Sequence, residues 1–230
     1  MYKSNIFFDI GNSNVKWRTL DSKVCSESVE SFLSITLPKA KVAWVSVVAH
    51  SHIVEQLNTK FKKVNIVNSQ KKFAKLTLSY KYSSSLGSDR FCAMLAAMKQ
   101  FPEKSLLVID VGSAMTFDVI DGDGFHQGGL IMPGLRALRT SFPKFKTSNL
   151  TVNIKVLAND TVNAWTSGTQ VMLLAAINDQ INRFKLNFPE GVVVICGGIV
   201  NQIKNELPES IQFFDNLVLD GLESYSQTVG

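Results

Sequence analysis

Cysteine is scarce in this sequence, with three residues among 230. Cys25, Cys92 and Cys196 are odd in number and widely separated, so they form neither the paired spacing of a zinc site nor a disulfide framework. We therefore expect a chain that folds without covalent cross-links in a reducing compartment, the cytoplasm.

Long apolar runs are also missing. No window approaches the roughly 18 unbroken apolar residues of a membrane-spanning helix. The first four residues run directly into a predicted strand that contains an acid, which is unlike a signal peptide. The sequence predicts a soluble protein without a membrane partner.

Familiar nucleotide-binding motifs are absent. The sequence contains no GxxxxGK[ST], which excludes a P-loop kinase, and no GxGxxG, which would have indicated a dinucleotide-binding fold. Of the three histidines, His50 and His52 could suggest a metal-binding pair. Because no third ligand lies nearby in the sequence, we expect no metal there.

The charge is mildly positive, with 24 Lys and Arg against 19 Asp and Glu. Lysines cluster at positions 60–63 and 71–75, each time with a phenylalanine among them. Such clusters occur on protein surfaces that bind nucleic acid and, more commonly, on solvent-exposed helices and loops. No RRM, KH, zinc-finger or helix-turn-helix signature accompanies them, so we expect no nucleic-acid partner. A positive field also suits an enzyme of small anions.

The most informative pattern is a strand, an acidic turn and a second strand, and it occurs twice. In each copy an apolar run contains an aspartate, Asp9 or Asp110, and is followed by a glycine and small polar residues. The aspartates are 101 residues apart (positions 9 and 110), a period too long for a solenoid and typical of a duplicated domain. We place the boundary after residue 104, which gives an N-terminal domain of residues 1–104 and a C-terminal domain of residues 105–230.

Helices are predicted around these turns. The patterns favour a helix near Ser51–Phe61, one that Gly87–Arg90 opens, a long helix at Thr161–Phe184 with Asp160 as its N-cap, and a final helix at Leu217–Gln227. The long helix carries more apolar residues than a small domain easily covers, so part of it is expected either to meet a second copy of the chain or to lie in its own core.

An aspartate at the end of a strand, next to a glycine and hydroxyl residues, can hold phosphate and Mg²⁺ without a Walker loop. Either turn alone could be an ordinary hairpin. Two copies would place two acids and two sets of N–H donors around one polyphosphate.

These residues resemble the type III pantothenate kinases, which include the Bvg accessory factor proteins. The resemblance covers nearly the whole chain. Its ordered motifs are Asp9–Ser13 with Lys16, Tyr80 before Leu86–Arg90, Asp110–Asp118, Gly129–Leu135, Thr161 with Ser167 and Gly168, and Gly197 with Gly198.

The resemblance implies an α/β fold of the acetate and sugar kinase/Hsp70/actin superfamily, with two RNase H-like domains built from mixed five-stranded sheets and flanking helices. It implies ATP-dependent phosphorylation of the primary (4′) hydroxyl of pantothenate to 4′-phosphopantothenate, the first step of coenzyme A biosynthesis. Mg²⁺ would accompany ATP, K⁺ or NH₄⁺ would act as a cofactor, and the chain would form a homodimer.

The resemblance also implies roles for individual residues. The ATP site would comprise Asp9, Ile10, Gly11, Asn12, Ser13, Asn14, Val15, Lys16 and Ser113. The pantothenate site would comprise Tyr80, Gly87, Ser88, Asp89, Arg90 and Thr161. Asp89 would be the general base and Asp110 the ligand of the monovalent cation. On local grounds alone, Ser88 as an N-cap and Asp89 in the first turn would simply stabilise a helix.

Two departures from the family pattern stand out. Cys196 precedes the late glycine pair where the family often has threonine, and the segment between Tyr80 and Gly87 is rich in serine. Two other functions are weighed: a non-catalytic regulatory or nucleic-acid-associated member of the fold, and a sugar or acetate kinase. The retained Asp9, Asp89 and Asp110 argue against the first, and Tyr80 with Gly87–Arg90 against the second.

Overall fold

The computed structural model describes residues 3–20, 22–147 and 157–229. Its contacts divide the chain into two compact units, Met1–Pro102 with Asn216–Gly230, and Glu103–Asp215. The sequence-based division assigned the last fifteen residues to the second domain, whereas the structure groups them with the first unit.

The first unit begins with a five-stranded mixed sheet. Its elements are β1 (Lys3–Ile10), β2 (Asn14–Thr19), β3 (Cys25–Ser28), α1 (Val29–Phe32), β4 (Ala40–Val47), α2 (Ser51–Lys60) and β5 (Lys63–Ile66). The strand order is β3-β2-β1-β4-β5. The pairs β1–β2 and β2–β3 are antiparallel, and the pairs β1–β4 and β4–β5 are parallel.

The first unit continues with the hairpin β6 (Lys72–Phe73) and β7 (Leu76–Leu78), and with helix α3 (Ser88–Gln100). The second unit contains β8 (Leu106–Val111), β9 (Ala114–Ile120), β10 (Phe125–Pro133), α4 (Leu135–Thr140), α5 (Thr161–Asn187), β11 (Val192–Cys196), α6 (Val200–Ile203) and β12 (Gln212–Phe213). Helix α7 (Leu217–Val229) closes the chain as part of the first unit. Single 3₁₀ turns occur at Ser83–Ser85 and Lys204–Glu206.

The strand order of the first unit is repeated in the second. Five strands of the second unit are ordered β12-β11-β8-β9-β10 within their sheet. The pairs β8–β9 and β9–β10 are antiparallel, and β8–β11 and β11–β12 are parallel. Each strand therefore has a counterpart in the first sheet, which confirms the duplication expected from the two acidic turns.

The two faces of the first sheet have different neighbours. Alternate residues of β1, including Ile6, Phe8 and Ile10, are fully buried and pack in a core with residues of α1 and α2. Because side chains alternate along a strand, Phe7 and Asp9 point to the opposite face. On this opposite face, α3 contacts β4, and α7 contacts β1 and β4. The two helices also contact each other.

The predicted helices are present, and one predicted cap is wrong. Asp160 caps α5, because its side chain accepts a hydrogen bond from the backbone N–H of Asn163. The local interpretation of Ser88 as the N-cap of α3 is wrong, because Gly87 is the N-cap and Ser88 is the first helical residue. Among the helices of the described residues, none combines the length and apolar character needed to cross a membrane.

Candidate active site

The first acidic turn joins β1 to β2 with Gly11, Asn12 and Ser13. The backbone N–H of Gly11 donates to the carbonyl oxygen of Asn14 at 3.0 Å, which closes the turn. Asn12, Ser13 and Asn14 are exposed, while Ile10 and Val15 on either side are fully buried. The buried pair anchors the turn and leaves its polar residues accessible to a ligand.

Asp9 lies next to two polar residues of the neighbouring strands. It is directly opposite Lys16 of β2 in the antiparallel register and beside Ser46 of β4 in the parallel register. Residues paired across strands share a face of the sheet, so Asp9, Lys16 and Ser46 converge. Asp9 and Lys16 belong to the sequence motif of the turn, whereas Ser46 lies within an apolar strand and carries no such signal.

Ser46 connects this face of the sheet to helix α3. Its hydroxyl lies 3.0 Å from the hydroxyl of Ser88, and both residues are buried. Ser88 Oγ also accepts from the backbone N–H of Val47 at 3.1 Å. These bonds fix the first residue of α3 against the end of β4. The hydroxyl of Ser88 is therefore used in buried hydrogen bonds within the first unit, and the next residue, Asp89, has a defined position.

Asp89 occupies the first turn of α3. Its Oδ1 accepts a hydrogen bond from the backbone N–H of Arg90 at 2.7 Å. A Cβ on Gly87 would lie 2.4 Å from the same oxygen, so a side chain at position 87 would displace the carboxylate. Glycine immediately before the helix therefore leaves the carboxylate of Asp89 in this position.

Asp9 and Asp89 both act on the thiol of Cys92. Burial raises the pKa of Cys92 well above its ordinary value, and the negative charges of Asp9 and Asp89 raise it further. Such charge effects are strongest at short distances. The carboxylates of Asp9 and Asp89, the two predicted functional acids of the first unit, therefore both lie near the Cys92 thiol. In the sequence Cys92 carries no signal of this proximity, because it lies outside both motifs of the acidic turns.

Tyr80 and Arg90, both predicted to contact pantothenate, form a pair. Arg90 Nη1 donates to the Tyr80 hydroxyl at 3.1 Å, and the guanidinium carbon lies 5.8 Å from the centre of the tyrosine ring. Arg90 is only 6% exposed. Lys71 Nζ donates to the carbonyl oxygen of Tyr80 at 2.9 Å and holds the segment after β7. The planar, permanently charged guanidinium suits recognition of a carboxylate.

The second acidic turn joins β8 to β9. Asp110 is opposite Thr116 of β9 and beside Cys196 of β11. The backbone N–H of Gly112 donates to the carbonyl oxygen of Ala114 at 3.0 Å, and Gly112 and Ser113 are exposed. The predicted cation ligand Asp110 and the predicted ATP contact Ser113 therefore lie on the same turn.

The backbones of two glycines, Gly134 and Gly197, pack directly against the backbone of the second turn. A Cβ on Gly134 would lie 2.3 Å from the carbonyl oxygen of Gly112, and one on Gly197 would lie 2.4 Å from that of Val111. Gly197 also has a φ of +124°, a backbone conformation that other residues rarely adopt. The glycines of the two later motifs thus permit close backbone packing against the turn. Cys196, which departs from the family pattern, is buried beside Asp110.

Thr161 is the first residue of α5 and is exposed. The predicted site residues therefore fall into two groups. Asp9–Lys16, Tyr80 and Gly87–Arg90 belong to the first unit, and Asp110, Ser113 and Thr161 belong to the second.

The donor set suits a phosphate-bound cation better than a zinc-type cluster. In the described parts of the chain no three His, Cys, Asp or Glu residues are grouped in a way that could hold a metal. Asp110 is a partly exposed carboxylate beside the exposed Ser113. Mg²⁺ that arrives with ATP takes most of its ligands from phosphates and water, and a monovalent ion needs few charged ligands. The residues present fit both ions.

Comparison with known proteins identifies the relatives of this chain. The family model described as type III pantothenate kinase matches residues 5–183. A type III pantothenate kinase from Colwellia psychrerythraea is 31% identical, with 96% of this chain and 99% of the relative covered. One from Xanthomonas campestris pv. campestris is also 31% identical, with 97% of each chain covered.

Solved structures with low sequence identity show the same fold. A protein described as a Baf family transcriptional activator from Campylobacter jejuni superposes with a TM-score of 0.63 at 22% identity, covering 96% of this chain and 97% of that one. An archaeal actin homologue superposes with a TM-score of 0.51 at 12% identity, covering 97% and 99%. These similarities confirm the expected α/β fold, which the archaeal actin homologue shares.

Proposed function

We propose, because the chain belongs to the type III pantothenate kinase family, that it transfers the γ-phosphoryl group of ATP to the 4′-hydroxyl of pantothenate. The observation that carries this proposal is the family match over residues 5–183, joined by relatives named type III pantothenate kinase over almost their full length. The reaction yields 4′-phosphopantothenate, the first intermediate of coenzyme A biosynthesis.

In the proposed reaction Asp89 is the general base. Its carboxylate accepts the proton of the pantothenate hydroxyl as that oxygen attacks the γ-phosphorus, and ADP leaves with the electrons of the broken bond. The fixed start of α3, through Ser88 and Gly87, supports this role because a general base needs a defined position. Gly87 and Ser88 would meet pantothenate mainly through their backbone.

Arg90 and Tyr80 recognise the substrate in this proposal. Pantothenate carries a carboxylate at the end opposite its 4′-hydroxyl, and a nearly buried guanidinium next to a tyrosine hydroxyl binds such a group in a defined orientation. The 3.1 Å bond between the two side chains supports this assignment. Thr161 of the second unit is proposed as a further pantothenate contact on the basis of the family resemblance.

The two acidic turns are proposed to hold ATP. Residues 9–16, with Asp9 opposite Lys16, would bind phosphate oxygens through backbone N–H groups and the lysine charge. Ser113 would add a second contact. Asp110 would bind K⁺ or NH₄⁺, and Mg²⁺ bound to ATP supplies charge neutralisation when present. The exposure of both turns supports these roles.

A coupled assay of ADP release tests the proposed reaction. We expect ADP to appear only when pantothenate is added, and not with acetate or a panel of sugars. ADP release with a sugar instead would identify a different kinase on the same fold. No release with any acceptor, with ATP still bound, would support the non-catalytic alternative, which the family match and the relatives' names do not favour.

We also propose that the chain is a homodimer in the cytoplasm. On helix α5, the apolar side chains of Val162, Val171 and Met172 are each more than half exposed, which supports a partner for part of this helix. Other apolar residues expected on it are used within the chain: Leu173 and Ile177 are fully buried, and Trp165 Nε1 donates to the carbonyl of Arg139 at 3.0 Å. Light scattering should give about twice 25.4 kDa, and a monomer with full activity would contradict the dimer. The cytoplasm supplies ATP and keeps the three free cysteines reduced.

A further inference from the structure

The ring of His50 reaches the first acidic turn from the neighbouring strand connection. His50 Nε2 lies 3.0 Å from the carbonyl oxygen of Asn12, 38 residues away in the chain. A carbonyl oxygen can only accept a hydrogen bond, so the proton of this bond is on Nε2. The contact joins the turn after β1 to the connection between β4 and α2.

His50 adopts a conformation that its own neighbourhood does not favour. Its φ of 60° and ψ of 50° are in the left-handed region, which is uncommon for residues other than glycine. It is also the N-cap of α2, yet its side chain makes no capping hydrogen bond. Serine, threonine, asparagine or aspartate would cap the helix better. What this conformation does provide is the contact with Asn12.

The acidic turn has three carbonyl oxygens that are held by donors from other parts of the first unit. The carbonyl of Ile10 accepts from the backbone N–H of Val48 at 3.3 Å, and that of Ser13 accepts from Val29 N–H at 3.2 Å. The carbonyl of Asn12 accepts from His50. Val48 and Val29 donate through their backbone N–H groups, whereas His50 donates through its side chain. The residue type at position 50 therefore decides whether the third bond exists.

Because of peptide geometry, the bond between His50 and the carbonyl of Asn12 also sets the direction of the next backbone N–H, that of Ser13. In a planar trans peptide the C=O and the N–H point in opposite directions. When the carbonyl of Asn12 is held toward His50, the N–H of Ser13 is directed away from His50. A free carbonyl in this turn would repel phosphate oxygens, whereas an N–H attracts them.

We propose that His50 is a positioning residue for ATP, which through the carbonyl of Asn12 directs the N–H of Ser13 toward a phosphate oxygen. His50 itself does not touch the nucleotide in this arrangement. The inference rests on the proposed function, in which this turn binds ATP. It names a residue outside the sequence motifs of the ATP site.

The test is direct ATP binding to the full-length protein, measured by titration calorimetry without pantothenate. His50→Asn is the principal variant, because asparagine tolerates the left-handed conformation but is too short to reach the carbonyl of Asn12. We expect its dissociation constant for ATP to rise about tenfold, the effect of losing one well-oriented hydrogen bond to a charged group. The urea unfolding midpoint should stay the same or increase, since asparagine is also a better N-cap.

Two further variants isolate the hydrogen bond. In His50→Gln the amide nitrogen extends about as far as Nε2, so this variant should restore most of the ATP affinity. His52→Asn is the matched control, because His52 is exposed on the same helix with its ring 5.7 Å from that of His50. It should bind ATP as the wild type does. The KM for pantothenate should not change in any of the three variants.

Unchanged ATP affinity in His50→Asn would overturn the inference, and so would equal losses in His50→Asn and His50→Gln. A fall in ATP affinity that parallels a fall in the unfolding midpoint would assign His50 a merely structural role and would also overturn it. Wild-type protein that does not bind ATP would instead refute the proposed function.

Discussion

The two acidic turns share a strand topology and differ in what surrounds the aspartate. In the first turn the residue opposite Asp9 is Lys16, and the residue beside it is Ser46. In the second turn the corresponding neighbours of Asp110 are Thr116 and Cys196. The first turn therefore has a lysine built into the position where the second has an uncharged residue.

The turns are also supported in different ways. The first is one residue longer between its flanking strand pairs, Ile10–Val15 against Val111–Met115. Three donors from two other segments, α1 and the connection between β4 and α2, hold its carbonyl groups. The second turn is instead packed tightly against the backbone at Gly134 and Gly197.

This difference shows how a duplicated scaffold can specialise. The repeated strand order fixes where each turn lies in its unit, whereas the side chains and glycines around it decide its chemistry. A fixed lysine suits direct phosphate binding, and an aspartate opposite a threonine suits an exchangeable cation. The first unit also carries Asp89, so the acid–base chemistry is expected there.

The largest expected effect comes from Asp89→Asn, which tests whether the first unit supplies the base. The substitution keeps the side-chain volume and an oxygen that accepts from the N–H of Arg90. We expect turnover to fall roughly 10²–10⁴-fold, the usual contribution of general acid–base catalysis, with ATP affinity and the unfolding midpoint unchanged. Turnover within a few-fold of wild type would remove Asp89 from this role.

Gly197→Ala tests whether the second turn depends on close packing. A Cβ there would collide with the carbonyl of Val111, and the φ of +124° is strained for alanine. We expect a loss of about 2–4 kcal/mol in the free energy of unfolding, measured with urea. Gly198→Ala is the matched control, since a Cβ at Gly198 meets nothing within 4 Å. Equal stability of the two variants would show that the backbone moves to relieve the contact.

Exchange of Na⁺ for K⁺ or NH₄⁺ compares the two aspartates. If Asp110 binds a monovalent cation, activity should rise severalfold in K⁺ or NH₄⁺, because the ion offsets the negative charge between carboxylate and phosphates. Asp110→Asn should blunt this response. Asp9→Asn, opposite the fixed lysine, should lower activity by the same factor in each salt. Wild-type rates that are equal in all three salts would contradict the cation site.

The smallest effect concerns the pH dependence of stability through Cys92. Burial and the charges of Asp9 and Asp89 raise the pKa of this thiol in the folded state. The thiol of the unfolded chain ionises near pH 8.5. Below that pH the thiol is protonated in both states, and its contribution to the free energy of unfolding is complete. Above it the thiol ionises more readily in the unfolded chain, so the free energy of unfolding falls by up to about 1.4 kcal/mol per pH unit.

Urea unfolding of wild type and Cys92→Ala between pH 7.5 and 9.5 measures this contribution. The wild type should lose stability more steeply with rising pH than the variant. Parallel curves would mean that the thiol ionises equally in both states. The result would also remove the electrostatic link between Cys92 and the two acids of the first unit.

Much of the fold was predictable from the sequence because its signals are local. Apolar runs that end in Asp and Gly marked both turns, and helical periodicity with Asp160 marked the start of α5. The expected cap at Ser88 was wrong because its hydroxyl is taken by Ser46, 42 residues earlier. A capping pattern describes only neighbours in the chain and cannot register such a partner.

Other residues gave no usable signal. Arg139 is fully buried, with Nη2 donating to the carbonyl oxygen of Thr166, and burial lowers its pKa. In sequence it is an ordinary basic residue of a short helix. In sequence His50 suggests only a metal-binding pair with His52, although its ring contacts the acidic turn. Both cases depend on contacts between segments about thirty to forty residues apart.

The sequence by itself determined the duplicated acidic turns, most of the helices and the family, because periodicity, glycine positions and motif order are properties of neighbouring residues. Only the tertiary structure decided which side chains meet. It grouped α7 with the first unit, where a Cβ on Gly221 would lie 1.9 Å from the carbonyl oxygen of Cys92. It also joined Ser46 to Ser88 and His50 to Asn12. Such contacts result from the packing of complete elements, and no short stretch of sequence specifies them.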